Sequence, residues 1–333
     1  VILDPFPLPA PGSAPPQAAS AAGAEVATLV DSSIFVFRAW FSRGEQPDAQ
    51  GRPGGAVHGF VHSLCQWLSE IPPGPLAFAF DTSLRSGFRH RLYPPYKAHR
   101  PPAPEALRAQ FQRIREVLDC LGLTQLAHPD FEADDLIASL ATTARGRGCR
   151  IDVLSADKDL TQVILGSDDR LRDPERGTTL SRADIERRLR IRPEQVADML
   201  ALAGDRSDNI PGLTGVGPAT AARMLRRFLD LDAILADPAG IRNCKIRGAA
   251  RIAEQVAAAG DALRLARRLT GLVTDITGLP TLGTMYPRGA RPDAAERLQE
   301  LGVASGYGRR LLAIADALHH RSPEAPAQVG VGP

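Results

Sequence analysis

The sequence predicts an α/β fold: a largely parallel sheet covered by helices on both faces, followed by a smaller helical subdomain. Three observations predict it. Short apolar runs alternate with helical periodicity over the first half of the chain. Those runs end in, or are closely followed by, an acid. From about Arg192 onward the pattern turns helical with Gly-rich turns.

Val26–Asp31 (VATLVD) reads as a short buried strand ending in Asp. A Gly- and Pro-rich loop over 44–55 leads to helical periodicity across Gly55–Glu70. Leu76–Asp81 (LAFAFD) is a second apolar strand, again ending in Asp. Residues 84–104 are basic, aromatic and punctuated by proline. A helix is predicted over 104–121 and another over 131–147, the latter opened by three acids that complement a helix N-terminal dipole. Residues 151–155 (IDVLS) give a third strand, followed at once by Asp157 and Asp159. In such sheets the functional crevice lies beyond the carboxyl ends of the strands, so Asp31, Asp81 and Asp157 are expected on one rim. Further helices are predicted over 193–203, Pro218–Phe228, 246–259 and 261–272, with a loop over 204–217.

The 333 residues suffice for one large domain or two modest ones with a real core. Hydrophobic residues at 44% and charged residues at 23% fit a soluble globular protein, and no apolar run is long enough to span a bilayer. No membrane partner is expected. Residues 1–25 read as a disordered Pro/Ala-rich leader without the basic and apolar regions of a signal peptide, and 322–333 as a loose tail. The first residue is Val rather than Met. Cys65, Cys120, Cys149 and Cys244 lack CxxC spacing, which favours buried free thiols over a zinc site and a reducing cytoplasm as the setting. A net charge of +2 hides segregation. Acids are clustered, cations are almost all Arg, and Lys occurs only at Lys97, Lys158 and Lys245. Such separation suits an enzyme that holds metals in one place and phosphates in another.

Four acidic clusters stand out: Asp31 with Asp81, Glu132-Ala-Asp134-Asp135, Asp157-Lys-Asp159, and Asp205-Arg-Ser-Asp208. Each alone reads better as helix caps and loop decoration. Together they place nine carboxylates where one cleft could gather them. Oxygen-only donors suit hard cations such as Mg²⁺ or Mn²⁺. Two such ions about 3.5–4 Å apart can clamp a scissile phosphodiester, one activating water and the other stabilising the leaving oxygen. Without cations, so many like charges could not all stay ionised. Lys158 reads as a local counter-charge. His58, His62, His90, His99 and His128 lack metal-ligand spacing, and Trp40 and Trp67 read as core.

The stretches VDSSIFVFRAW, GGAVHGF, FAFD, FRHRLYPPYKAHRPP, FEADDLIASLA, SADKDLTQV and LAGDRSDNIPGLTGVGPATAARML occur in this order. By them the chain resembles the bacterial 5′-nuclease family, which includes the N-terminal nuclease domain of DNA polymerase I and the flap endonucleases, over roughly residues 26–275. The resemblance implies a three-layer PIN-like nuclease domain over 26–191 with a helical arch near 84–104. It further implies a helix-hairpin-helix subdomain over 192–290, leaving 291–333 for a C-terminal helix and tail. Carried over, the metal ligands are Asp31, Asp81, Glu132, Asp134, Asp135, Asp157, Asp159, Asp205 and Asp208, holding two Mg²⁺ or Mn²⁺ ions. Asp81, Glu132 and Asp134 serve one ion, and Asp157, Asp159 and Asp208 the other.

Arg38, Lys97 and Arg100 match the family's basic positions at the scissile phosphate, where developing charge needs cations beyond the metals. On a helix, Lys97 and Arg100 would share a face. Tyr93 and Tyr96 beside them suit bases that stack. Gly212, Gly215 and Gly217 precede a helix that starts at Pro218 and carries Thr220 and Arg223, a geometry that offers backbone N–H groups to an anion. In the family this hairpin grips duplex backbone without reading bases, often with K⁺ bound. The family's usual Lys two residues after the last Gly is Ala219 here, and Arg223, Arg226 and Arg227 are the cations nearest to it.

The implied activity is that of a 5′-3′ exonuclease or flap endonuclease acting on DNA with 5′ ends, flaps or branches, with RNA primers as further substrates. A monomer without a polymerase domain is expected. Two other readings stay open: a non-catalytic DNA-structure-binding protein on the same scaffold, and a PIN-type ribonuclease.

Overall fold

The computed structural model describes residues 24–82 and 86–321, so most of the predicted leader and tail lie outside the described residues. Six strands form its sheet: β1 (Val26–Asp31), β2 (Leu76–Asp81), β3 (Thr124–His128), β4 (Arg150–Leu154), β5 (Arg170–Asp173) and β6 (Thr178–Ser181). Their spatial order is β3-β2-β1-β4-β5-β6. All neighbouring pairs run parallel except β5 with β6. The chain moves outward from β1 to β2 and β3, then returns to the other side of β1 for β4. The strand order therefore reverses beside β1, where a doubly wound sheet opens its crevice.

Alternation of side chains assigns the two faces. Leu76, Phe78 and Phe80 of β2 join one core with Val30 and Leu154. Ala77 and Ala79 join the other with Ala27, Leu29, Ile151 and Val153. The bulky face packs against α1 (Ser32–Arg43), α2 (Gly55–Glu70) and α4 (Glu105–Cys120). The small face lets the Ala-rich α5 (Ala133–Gly146) lie close, with Ala133, Ala138, Ala141 and Ala144 buried against it. At Gly59 of α2, an added Cβ would come within 2.6 Å of the Ala39 Cβ, so only glycine permits the close crossing of α1 and α2. The start of α2 has no side-chain cap of its own. Buried Gln110 of α4 supplies one, its Oε1 accepting from the N–H groups of Ala56 (2.8 Å) and Val57 (3.3 Å).

The short α3 (Phe88–Leu92) precedes α4, and α6 (Arg182–Leu189) follows β6. A third core is built from α7 (Val196–Ala203), α8 (Pro218–Phe228), α9 (Leu231–Ala236), α10 (Ala249–Ala258) and α11 (Gly260–Thr270). Tyr96, from far upstream, is buried in it. The chain then returns to the bulky face of the sheet. There α12 (Ala294–Glu300) and α13 (Ser305–Arg321) bury Leu298, Leu311, Ala315 and Leu318 in the first core. Among the described residues no helix is long and apolar enough to cross a membrane.

Trp67 sits in the first core with ring centroids 4.4 Å from Phe35 and 5.6 Å from Phe60. Trp67→Ala should lower unfolding stability by about 3–5 kcal/mol, read from the urea midpoint at unchanged slope.

Candidate metal centre and phosphate-handling site

Three neighbouring strands deliver acids to the reversal point of the sheet. Asp31 ends β1 and occupies the N-cap position of α1, yet its side chain makes no cap bond. Instead its Oδ2 accepts from Ser155 Oγ at 2.7 Å, and that same Oγ accepts from the Asp157 N–H at 2.9 Å. Asp81 ends β2. Its Oδ1 accepts from the Ala133 N–H at the start of α5 (2.9 Å), where the helix dipole favours negative charge. Asp134 reaches the same edge from the first turn of α5 and has no protein hydrogen-bond donor among the described residues. Beyond β4, Asp157 Oδ1 accepts from the Asp159 N–H (2.9 Å) and opens a 3₁₀ turn over Lys158–Val163.

Cations flank these acids. Lys158 Nζ lies 2.8 Å from Asp205 Oδ2 and 3.3 Å from Asp159 Oδ1. Lys97 Nζ lies 2.7 Å from Glu132 Oε1 and 3.7 Å from Asp208 Oδ2. Arg100 donates to Asp208 Oδ1 at 2.7 Å. The Tyr96 hydroxyl sits between Glu132 Oε2 (2.8 Å) and Asp208 Oδ2 (3.0 Å).

The electrostatic consequences show how tightly the acids are gathered. Burial, then the charges of Asp81 and Asp157, push the Asp31 carboxyl up to about 7. Burial and Asp157 push Asp159 to about 8, with Asp205 and Asp208 adding to the effect. Asp134 is driven well above the carboxylate range by burial and by Asp157, Asp31 and Asp81. Burial and Glu132 raise Asp81 as well. Glu132 goes the other way. Burial would raise it, but Lys97 and Arg89 outweigh that and hold it at about 2. Glu132 and Asp208 likewise overcome the burial of Lys97 and keep its ammonium charged.

An all-carboxylate donor set, with Asp134 uncommitted and its neighbours repelling one another, fits hard divalent cations. Among the described residues no group of three or more His, Cys, Asp or Glu side chains is placed so that it could hold a metal ion without moving.

Several predicted site residues stand differently from the sequence expectation. Asp135 is fully buried, and both of its oxygens face Arg89 rather than the cluster. Arg38 is held by Asp173 through both terminal nitrogens at 2.8 Å, with Glu175 at 3.4 Å, and makes no bond to a cluster acid among the described residues. Tyr96 is buried, so its ring is no stacking platform, while Tyr93 is half-buried against the third core. Lys97 and Arg100 do not share a helix face. The segment from Ser86 to Pro104 holds only the five-residue α3 and then turns, and Lys97 adopts φ +51°. Pro94, Pro95, Pro101 and Pro102 prevent a continuous helix there. Arg89 escaped the sequence analysis because nothing in its residue type separates it from the other arginines of FRHRLYPPYKAHR.

The predicted hairpin is present as α7, a loop over 204–217, and α8. Gly212 passes so near α7 that an added Cβ would fall 2.2 Å from the Ala203 carbonyl carbon, and Gly215 has φ +82°. Gly212, Gly215, Gly217 and Arg223 are exposed and Thr220 is half-buried. Gly217 caps α8 without a side chain. Arg251, another residue missed in the sequence, lies over Gly215.

Residues 26–197 match the family model of the 5′-3′ exonuclease N-terminal resolvase-like domain, and 191–287 match that of the 5′-3′ exonuclease C-terminal SAM fold. The chain belongs to the 5′-3′ exonuclease family. A 5′-3′ exonuclease of Aquifex aeolicus is 33% identical to it over 62% of this chain and 71% of its own. The thermostable DNA polymerase I of Thermus thermophilus is 37% identical over 74% of this chain but only 28% of the polymerase. The chain thus spans about a quarter of the polymerases it matches. The flap endonuclease of bacteriophage T5, solved as a pseudo-enzyme-product complex with DNA and metal ions, shares the fold at TM-score 0.56 and 18% identity. That match covers 88% of this chain and 100% of the phage one.

In this exonuclease family member, raised carboxyl values mean that the folded chain holds its protons more tightly than the unfolded one. The stability they contribute is complete below the unfolded value of 3.8 and is lost as pH rises through about 7 and about 8. Glu132 acts oppositely, its contribution being lost only as pH falls from 4.5 through about 2. In EDTA, stability should therefore fall between about pH 5 and about pH 8, by up to roughly 1.4 kcal/mol per pH unit for each proton released. Asp159→Asn should flatten that slope and raise the melting temperature at about pH 8. A steeper slope in thermal melts would contradict this.

Proposed function

We propose that the chain is a structure-specific 5′-3′ DNA nuclease, exonuclease and flap endonuclease in one cleft, hydrolysing phosphodiesters with two Mg²⁺ or Mn²⁺ ions. The observation that carries this reading is the convergence of Asp31, Asp81, Asp134, Asp157 and Asp159 on one edge, with mutual repulsion that bound cations would relieve. The ions would supply water activation and neutralisation of charge on the phosphate. Asp81, Glu132 and Asp134 would hold one ion. Asp157, Asp159 and Asp208, with Asp205 beside them, would hold the other, and Asp31 ends the strand that lies between β2 and β4.

The chain's own side chains do the remaining work. Lys97 stays protonated among its acids, so it acts as a fixed positive charge rather than as a base. Lys97 and Arg100 lie within reach of the phosphate site and stabilise negative charge there. The exposed hairpin of Gly212, Gly215 and Gly217, with Arg223, Arg226 and Arg227, offers backbone N–H groups and guanidinium groups to duplex phosphates. A K⁺ ion at that hairpin belongs to the same proposal. The phage relative's complex with DNA and metal ions supports DNA as the substrate class. RNA primers are further substrates in this reading, the working form is a monomer, and four buried free thiols support a reducing cytoplasmic setting.

The test is a 5′-labelled flap oligonucleotide incubated with the chain in Mg²⁺ and in EDTA. Cleavage near the junction only in Mg²⁺ is expected. Lys97→Ala should lower kcat by about 10²–10³ with little change in DNA affinity, and Asp134→Ala should abolish turnover while DNA binding in Ca²⁺ persists. Binding without any metal-dependent product would favour a non-catalytic DNA-binding protein. Cleavage confined to unstructured RNA would favour a PIN-type ribonuclease.

A further inference from the structure

Arg89 and Asp135 form a pair in which every hydrogen-bonding position is filled. A guanidinium has five N–H donors. Arg89 Nε donates to the Leu269 carbonyl (2.8 Å). Its Nη1 donates to Asp135 Oδ2 (2.6 Å) and Glu132 Oε2 (3.3 Å), and its Nη2 to Asp135 Oδ1 (2.7 Å) and the Gly271 carbonyl (2.8 Å). A carboxylate has about four acceptor sites. Besides the two Arg89 bonds, Asp135 Oδ2 accepts from the Glu132 N–H (3.1 Å) and Oδ1 from the Val273 N–H (2.9 Å). The adjacent Asp134 has no such donors among the described residues.

We propose that Asp135 is not a metal ligand but half of a positioning clamp. With Arg89 it fixes the start of α5, with Glu132 at its N-cap and Asp134 in its first turn, to α3 and to the C-terminal end of α11. The inference rests on the nuclease reading of the cleft. A saturated carboxylate has no lone pair left for a cation, and donors on both flanks hold it in place. Arg89 touches Glu132 directly, so it sets that side chain's distance from the cluster. Through the Leu269 and Gly271 carbonyls, the same guanidinium ties the helical subdomain to the helix that bears the ligands. The clamp therefore couples the surface proposed to grip duplex to the geometry of the cleft. Arg89 and Asp135 are positioning residues, acting through Glu132 and Asp134 rather than on substrate.

The test uses the full chain and Mn²⁺ alone, with bound ions counted by electron paramagnetic resonance. Asp135→Asn should bind as many Mn²⁺ ions as the unaltered chain, whereas Asp134→Asn should bind at least one fewer. Arg89→Lys keeps the charge but loses the fork. It should weaken Mn²⁺ binding by about tenfold or more without changing the count, the effect expected of a group that orients ligands. Thermal melts in EDTA add a cycle. Arg89→Met and Asp135→Asn should each lower the melting temperature, and the double variant should lose less than the two single losses combined, because neither partner is then left buried and alone. If Arg89→Met does not fold, the neutral Arg89→Gln takes its place in the cycle. Loss of an ion in Asp135→Asn would make it a ligand and overturn the clamp, as would additive losses in the cycle. An unaltered chain that binds no Mn²⁺ would instead sink the nuclease reading, while the metal-free cycle still decides the clamp.

Discussion

Asp31 and Asp81 leave adjacent parallel strands side by side, and Asp134 comes to the same edge from the helix that covers them. Ionising them is costly, because burial denies all three water, Asp81 raises the proton affinity of Asp31, and both raise that of Asp134. This crowding follows from topology. A parallel sheet aligns strand ends, and the reversal of strand order beside β1 leaves a gap there that no crossover helix fills. The fold thus builds an electrostatic deficit into the edge of its sheet and leaves it to side-chain ammonium groups or dissolved cations to balance.

The chain's own answer to that deficit is uneven. Two of its three lysines, Lys97 and Lys158, lie against the acids, one on each flank. They pair with Glu132, Asp208, Asp159 and Asp205, the outer members. The inner group of Asp31, Asp81 and Asp134 makes no ion pair within 4 Å among the described residues, and its hydrogen bonds come from neutral groups such as Ser155 and the Ala133 N–H. The cleft is paired with cations at its rim, while burial and repulsion raise the proton affinity of the acids at its centre. Such a profile attracts a divalent ion inward, and it leaves lysine and arginine side chains at the rim where a phosphate would enter.

Much of this was legible in the sequence because it depends on period and on strand ends. β1, β2 and β4 declare themselves as apolar runs, and their terminal acids follow the rule for parallel sheets. β3, β5 and β6 were not seen: TQLAH, RLRD and TTLS are short and polar, and only pairing to an existing sheet makes strands of them. In the EADD run, sequence gives no means of ranking Asp134 against Asp135. Successive helical residues point about 100° apart, so one faces the strand ends and the other faces inward to Arg89. The helix expected to carry Lys97 and Arg100 fails for a similar reason. Its prolines were visible, but the contacts that hold the alternative shape come from residues more than a hundred positions away.

Those contacts join the two halves of the molecule. The Lys97 N–H donates to the Asp208 carbonyl (3.0 Å), and Asn209 Nδ2 donates to the Pro95 carbonyl (2.8 Å). Both Lys97 and Asn209 have left-handed backbones, at φ +51° and +59°. For Lys97 that conformation costs on the order of 1–2 kcal/mol and persists only where surroundings impose it. Here the surroundings are the Tyr96 ring buried in the helical subdomain and the acids on either side. The segment therefore cannot shift Lys97 without also disturbing the turn that carries Asp205 and Asp208, or the packing of the subdomain beneath it. The backbone of the Lys97 segment and the turn that carries Asp205 and Asp208 are therefore held as one unit, and the acids at the edge of the cleft keep their places only as long as both halves of the molecule stay joined there.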